Sequence, residues 1–169
     1  MNMKFFIYLI LAVLTFLPVV SCVYHELDSP SLSTETDQSL FEEINETGFE
    51  YYQGGNTIMP ASASPHGNFK LRFNAKALSS LDDSGELPEG GTFVEGSVIV
   101  KEVYTNNQIS VYAVMKKASS DAAAGNGWLW SEYRPDGGVL ISIAAKGSSC
   151  ISCHDDLPNR NLVRTFDFH

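Results

Sequence analysis

The chain has 169 residues, with 20 acidic side chains against 11 basic ones and a formal charge of −9. That length holds one domain once an export signal is set aside, and the ordinary apolar and charged fractions argue against intrinsic disorder. The acidic balance excludes nucleic acid as a partner, because phosphate binding needs Lys and Arg to displace counterions.

Lys4 precedes an apolar run from Phe5 to Val20, interrupted by Pro18. The run is shorter than the about 20 residues of a membrane span, and it has the layout of a signal peptide. It ends Val19-Val20-Ser21-Cys22, which resembles the lipobox of bacterial lipoproteins, where the cysteine is acylated and becomes the first mature residue. The resemblance implies a lipoprotein signal peptide over 1–21, a lipidated tether over 22–40 and a folded domain over 41–169. Cleavage would remove Lys4 and leave a charge of −10, one basic residue fewer against the same 20 acids. Lipid on Cys22 would hold the exported protein on a bacterial membrane, facing the periplasm or the exterior, at roughly 0.8 kcal/mol per buried methylene. The rival reading is an ordinary secretory signal with a chance cysteine.

Asp28 to Ser39 is rich in Ser, Thr and acid, as a solvated tether would be. Leu40, Phe41 and Ile44 have helical spacing, and Gly54 to Gly67 reads as a loop. Phe69, Leu71 and Phe73 alternate with Lys70, Arg72 and Asn74, the pattern of a half-buried strand. Ala75 to Leu81 suits two helical turns, and Asp82 to Gly91 a turn region. Two β-branched runs, Thr92 to Tyr104 and Gln108 to Met115, meet at Asn106-Asn107, and Asn tolerates the positive φ of a tight hairpin. Gly127 to Arg134, the turn Pro135 to Gly138 and Val139 to Ile143 complete a mainly β (α+β) reading. It is an antiparallel sheet with short helices and a C-terminal attachment loop.

That loop carries Cys150-Ile151-Ser152-Cys153-His154, the C-x-x-C-H pattern of c-type haem attachment. Two thiols at this spacing add to the two vinyl groups on one porphyrin edge, and the adjacent histidine ligates the iron. One covalent haem c is therefore expected, held by Cys150, Cys153 and His154. A zinc site would need two more ligands, and a thioredoxin-like pair would open a helix after a strand. With Cys22 assigned to lipid, no cysteine is left for a structural disulfide. Only fifteen residues follow His154, none of them Met. A sixth ligand would have to be His169 or come from upstream, as Met59 or Met115, and an open iron site is favoured. His25 and His66 read as solvated.

Asn68 to Phe166 resembles the cytochrome P-460 family and its relatives, the cytochromes c′-beta. The features are Phe69-Lys70-Leu71-Arg72, then Phe93-Val94-Glu95-Gly96-Ser97-Val98-Ile99-Val100-Lys101-Glu102. Gly127-Trp128, Pro135-Asp136-Gly137-Gly138 and the closing Val163-Arg164-Thr165-Phe166 follow in order. The resemblance implies a β-rich domain with one five-coordinate haem, acting on hydroxylamine or nitric oxide and passing electrons to a periplasmic acceptor. A homodimer is compatible with it. Lys101 matches the lysine that hydroxylamine-oxidising members bond to the porphyrin. From the residues alone, Lys101 shares a face with Ile99 and Val103 inside an apolar run, so its amine is expected to be desolvated; the rival reading lets it snorkel to water. Arg72 matches an arginine near the distal pocket, although alternation puts it with Lys70 and Asn74. The family's active members also use a carboxylate just before the haem motif; Ile143 to Ser149 contains no acid, and Glu132 is the candidate substitute. Phe69, Phe73, Phe93, Trp128 and Trp130 are core residues or haem walls. Three functions follow: an oxidase of hydroxylamine or nitric oxide, a gas-binding module for nitric oxide or carbon monoxide, and an electron carrier with a filled sixth position.

Overall fold

The computed structural model describes residues 35–52, 55, 57–60, 66–155 and 160–167. Cys22, His25, His169 and the signal-peptide reading lie outside them, so only Glu35 to Leu40 of the expected tether is seen. Among the described residues, six strands form one antiparallel sheet in sequential order: β1 (Phe49–Tyr51), β2 (Asn68–Asn74), β3 (Val98–Thr105), β4 (Gln108–Lys117), β5 (Trp128–Tyr133) and β6 (Val139–Ile141). Each strand pairs with its chain neighbour. Connections as short as the β3–β4 turn favour this meander. Asn106 and Asn107 both have positive φ there, 52° and 61°, as a tight hairpin turn requires.

Helix α1 (Asp37–Ile44) begins inside the segment expected to be tether, because Thr36 and Ser39 form a reciprocal capping box. Leu40 and Ile44 are completely buried against the sheet. Helix α2 (Ala75–Leu78) is shorter than its sequence suggests. The hydroxyls of Ser79 and Ser80 both turn back to the Lys76 carbonyl, a local competition that ends helices. The β3 run also starts late. Gly96 turns at φ 80° and its N–H bonds the Lys117 carbonyl, so Phe93 enters the core from a loop rather than from a strand.

Alternation splits the sheet into two cores. One face carries Phe69, Leu71, Phe73, Ile99, Met115, Trp128 and Trp130, and receives Cys150, Ile151, Leu162, Val163 and Phe166 from the C-terminal segment. The other carries Val98, Val100, Val114, Leu129 and Tyr133 and is covered by α1. The C-terminal segment and the helix therefore lie on opposite sides of the sheet.

Candidate functional site

The segment before the cysteines is held by its backbone. Lys146 and Gly147 are consecutive left-handed residues, φ 50° and 68°. At Gly147 an added Cβ would sit 2.4 Å from Trp130 Cδ1, so only glycine lets the chain pass this close to the indole. The Gly147 carbonyl then accepts from the N–H groups of Cys150 and Ile151, and the Cys150 carbonyl from Cys153 and His154. This makes the single turn of α3 (Ile151–His154). One turn places Cys150 and Cys153 on one side. Cys150 is half-buried, Cys153 is exposed, and both are free thiols, as two vinyl additions require.

His154 Nδ1 lies 2.7 Å from the Leu162 carbonyl. A carbonyl only accepts, so the proton is on Nδ1 and the lone pair on Nε2, the arrangement of a metal-ligating histidine. Burial, opposed by this hydrogen bond, lowers the imidazole pKa and favours the neutral form that ligation needs. The carbonyl is aimed by an unusual backbone, since Asn161 and Leu162 have φ of 54° and 68°. A branched side chain there costs roughly 1–2 kcal/mol. The Asn161 side-chain oxygen offsets some of that by accepting from Phe93 N–H at 3.0 Å. The edge of Trp130 packs on the His154 ring, with centroids 4.9 Å apart and planes at 77°. Arg164 Nη1 reaches Cys153 Sγ at 2.9 Å. Thiol positions, histidine tautomer and its fixed orientation all fit a covalently held haem.

Strand register adds a second set of residues on the same sheet face. Leu71, Lys101, Ala113, Glu132 and Ile141 are successive cross-strand partners in one row, so they point the same way. Lys101 Nζ sits 3.9 Å from the Phe69 ring centroid, and desolvation brings its pKa down to about 8. Desolvation pushes the Glu132 carboxyl up. His66 Nδ1 lies 3.5 Å from Glu132 Oε1, at the outer edge of hydrogen-bond distance. Its own pKa falls to about 4, first through burial and then through the neighbouring charges of Lys101 and His154. At pH 7 the imidazole in this contact is therefore neutral. Glu132 is also felt by the Cys150 thiol. Lys101, Glu132, His66, Cys150 and His154 thus share one electrostatic neighbourhood.

Arg72 is not part of it. It belongs to the opposite face, where its Nε is 2.6 Å from Glu102 Oε1 at an angle too poor for a hydrogen bond. Its Nη1 donates to the Ile44 carbonyl of α1, and Phe49 and Tyr112 flank the guanidinium. Tyr51 and Tyr104 complete the shell around Glu102. Arg72 is neither solvated nor beside the haem motif, because alternation sends it through the sheet into a buried ion pair. Met115 is buried in the same core as Trp130, and Met59 packs against that core through a bridge to Phe69. Of the aromatic candidates, Trp130 alone has a ring contact with His154 among the described residues. Phe73, Phe93 and Trp128 form an edge-to-face chain deeper in the core. His66 was expected in solvent, and the structure brings it to Glu132. Its position immediately before a strand whose Phe69 and Leu71 face the site was the available signal.

Among the described residues no group of three or more His, Cys, Asp or Glu could hold a metal ion directly. The model of the cytochrome P460 family matches residues 36–165, and the chain belongs to that family. No curated protein matches the chain.

Proposed function

We propose that this member of the cytochrome P460 family is an exported, lipid-anchored monohaem cytochrome c that oxidises hydroxylamine or nitric oxide at an open iron position. Membership of the family implies the haem cofactor. Cys150 and Cys153 would hold it through thioether bonds and His154 Nε2 would ligate the iron. The bound group supplies a coordination position for a small nitrogen ligand and a one-electron path for its oxidation. The anchor would be Cys22, and the electrons would pass to a small periplasmic acceptor.

The observation that carries the reading is Glu132. It is a half-buried carboxylate on the same face and in the same row as Lys101, in the neighbourhood of Cys150. Oxidising hydroxylamine requires its N–H and O–H protons to leave, and a positioned base is worth about 10²–10⁴ in rate. Desolvation raises the basicity of Glu132 toward the working pH. Lys101, desolvated and largely uncharged above about pH 8, has the nucleophilic amine that a bond to the porphyrin would require. Phe69 lies under the Lys101 amine, and Trp130 packs on the His154 ring.

The same aromatic walls suit a second reading, a module that binds nitric oxide or carbon monoxide without turnover. Protein matured in a host with haem-attachment machinery separates the two. Its mass should rise by one porphyrin, and hydroxylamine should reduce an added electron acceptor catalytically. Glu132→Gln should lower that rate about 100-fold at unchanged haem content. Gas binding with no turnover in the wild type would establish the binding module instead.

A further inference from the structure

Glu132 sits in mid-strand, with Ala113 beside it on β4 and Ile141 on β6. Neither neighbour can hydrogen-bond a carboxylate through its side chain. The titratable groups around it come from three places: Lys101 on β3, Cys150 and His154 on the C-terminal segment, and His66 ahead of β2. Lys101 is separated from Glu132 by the whole of β4, and its Nζ is held over Phe69 at 3.9 Å. His66 Nδ1 lies 3.5 Å from Glu132 Oε1, close enough for a small side-chain rotation to bring donor and acceptor together. Gly67, at φ 80°, turns the chain into β2, and the Met59–Phe69 bridge holds the start of that strand.

We propose that His66 is a positioning residue, whose Nδ1–H orients the Glu132 carboxylate as the proton acceptor for a small neutral N–H or O–H substrate of the hydroxylamine class. This rests on the reading of Glu132 as the base. In the step itself an N–H or O–H bond of the substrate breaks heterolytically. The proton goes to Glu132, which becomes a carboxylic acid, and the electron pair stays on the substrate atom. His66 keeps its own proton throughout. An imidazolium would bind the carboxylate as an ion pair and weaken it as a base. Burial, with the Lys101 amine as a further cause, keeps the imidazole neutral at pH 7, so it can orient the carboxylate without quenching it. The arrangement is that of an outer-shell partner, whose removal typically changes activity 10–100-fold.

The test uses the holoprotein with His66→Asn, His66→Gln and His66→Leu, matched for haem content and melting temperature. An Asn amide nitrogen can stand where Nδ1 stands, whereas the longer Gln places its amide nearer the Nε2 position. Two readouts are taken at pH 7: hydroxylamine turnover, and the association rate of cyanide with the ferric protein. Cyanide arrives as HCN and must lose a proton, so its rate reports the base without turnover. His66→Leu and His66→Gln should slow both about tenfold, with the turnover loss in kcat rather than KM, and His66→Asn should recover most of it. His66→Leu/Glu132→Gln should be no slower than Glu132→Gln alone. Rates within twofold of wild type in His66→Leu, with Glu132→Gln still slow, would overturn the role of His66 and spare that of Glu132. No effect of Glu132→Gln would overturn the underlying reading instead. A wild-type low-spin spectrum that becomes high-spin in His66→Leu would make His66 an iron ligand and also overturn the proposal. If His66→Leu fails to fold, the Asn and Gln variants still decide, since equal rates in the two contradict Nδ1 donation.

Discussion

Replacing Arg72 with Leu should unfold the protein more easily and leave its chemistry alone. Arg72 and Glu102 form a buried pair on the α1 side of the sheet, with side-chain exposures of 14% and 4%. Removing one partner of such a pair typically costs about 3–5 kcal/mol, because the other charge is stranded. Here the stranded Glu102 keeps the hydroxyls of Tyr51 at 3.2 Å and Tyr104 at 3.0 Å, which places the cost near the lower end, about 3 kcal/mol. The α1 carbonyl of Ile44 also loses its donor. At roughly 3 °C per kcal/mol for a domain of this size, the melting temperature should fall about 10 °C. Adding Glu102→Gln removes the stranded charge and should restore about 1–2 kcal/mol. The assay is urea and thermal unfolding of the two variants and of the wild type, with optical spectra and hydroxylamine turnover taken alongside. A tenfold loss of turnover or a shifted haem spectrum, with melting within about 2 °C of wild type, would refute the assignment of Arg72 to the far face.

Gly125→Ala should damage the attachment segment directly: its Cβ would lie 1.9 Å from the Lys146 carbonyl oxygen and 2.9 Å from Ile151 Cδ1. Because backbone must give way, about 2–3 kcal/mol of stability should be lost, with a lower yield of haem attachment by mass spectrometry. For Lys101, the folded pKa of about 8 lies below the ordinary 10.5, so the unfolded chain binds more protons between those values and stability must rise with pH through that window. In protein produced without haem, wild type should gain about 2 kcal/mol on Lys101→Met between pH 8 and 10.5, somewhat less than the full linkage because Lys101 keeps part of its hydration. Parallel curves for wild type and variant in urea titrations would contradict desolvation of the amine.

Much of this was legible in the chain. Period-two alternation identifies β2, the Asn106-Asn107 pair sets the hairpin, and the C-x-x-C-H spacing marks the candidate attachment segment. The face of Lys101 followed from its neighbours Ile99 and Val103. What could not be read was pairing across strands. Glu132 joins Lys101 only because Ala113 stands between them in register, and register depends on the exact turns at both ends of β4. β1 was missed because three residues carry too little pattern. His66 reads as solvated because, although its place just before β2 hints at the site-facing side, nothing local shows that it reaches a strand three positions across the sheet. Leu162 was invisible for another reason: its contribution is a carbonyl, and its left-handed backbone runs against the preference of a branched side chain.

The shifts in the site have one common origin. Lys101 is pushed down, His66 is pushed down and Glu132 is pushed up, and burial is the leading cause each time. Each group is therefore moved toward its neutral form, which is what low-dielectric surroundings do to any ionisable side chain. On the proposed function, such surroundings would admit hydroxylamine or nitric oxide, both uncharged at neutral pH, at little desolvation cost, and would resist an anion such as nitrite. The chain's net charge of −9 adds repulsion at longer range. A reaction that starts from a neutral molecule and ends with an anion would then be favoured twice, once on entry and once on release. Burial and surface charge thus act in the same direction, although nothing in the local sequence couples them.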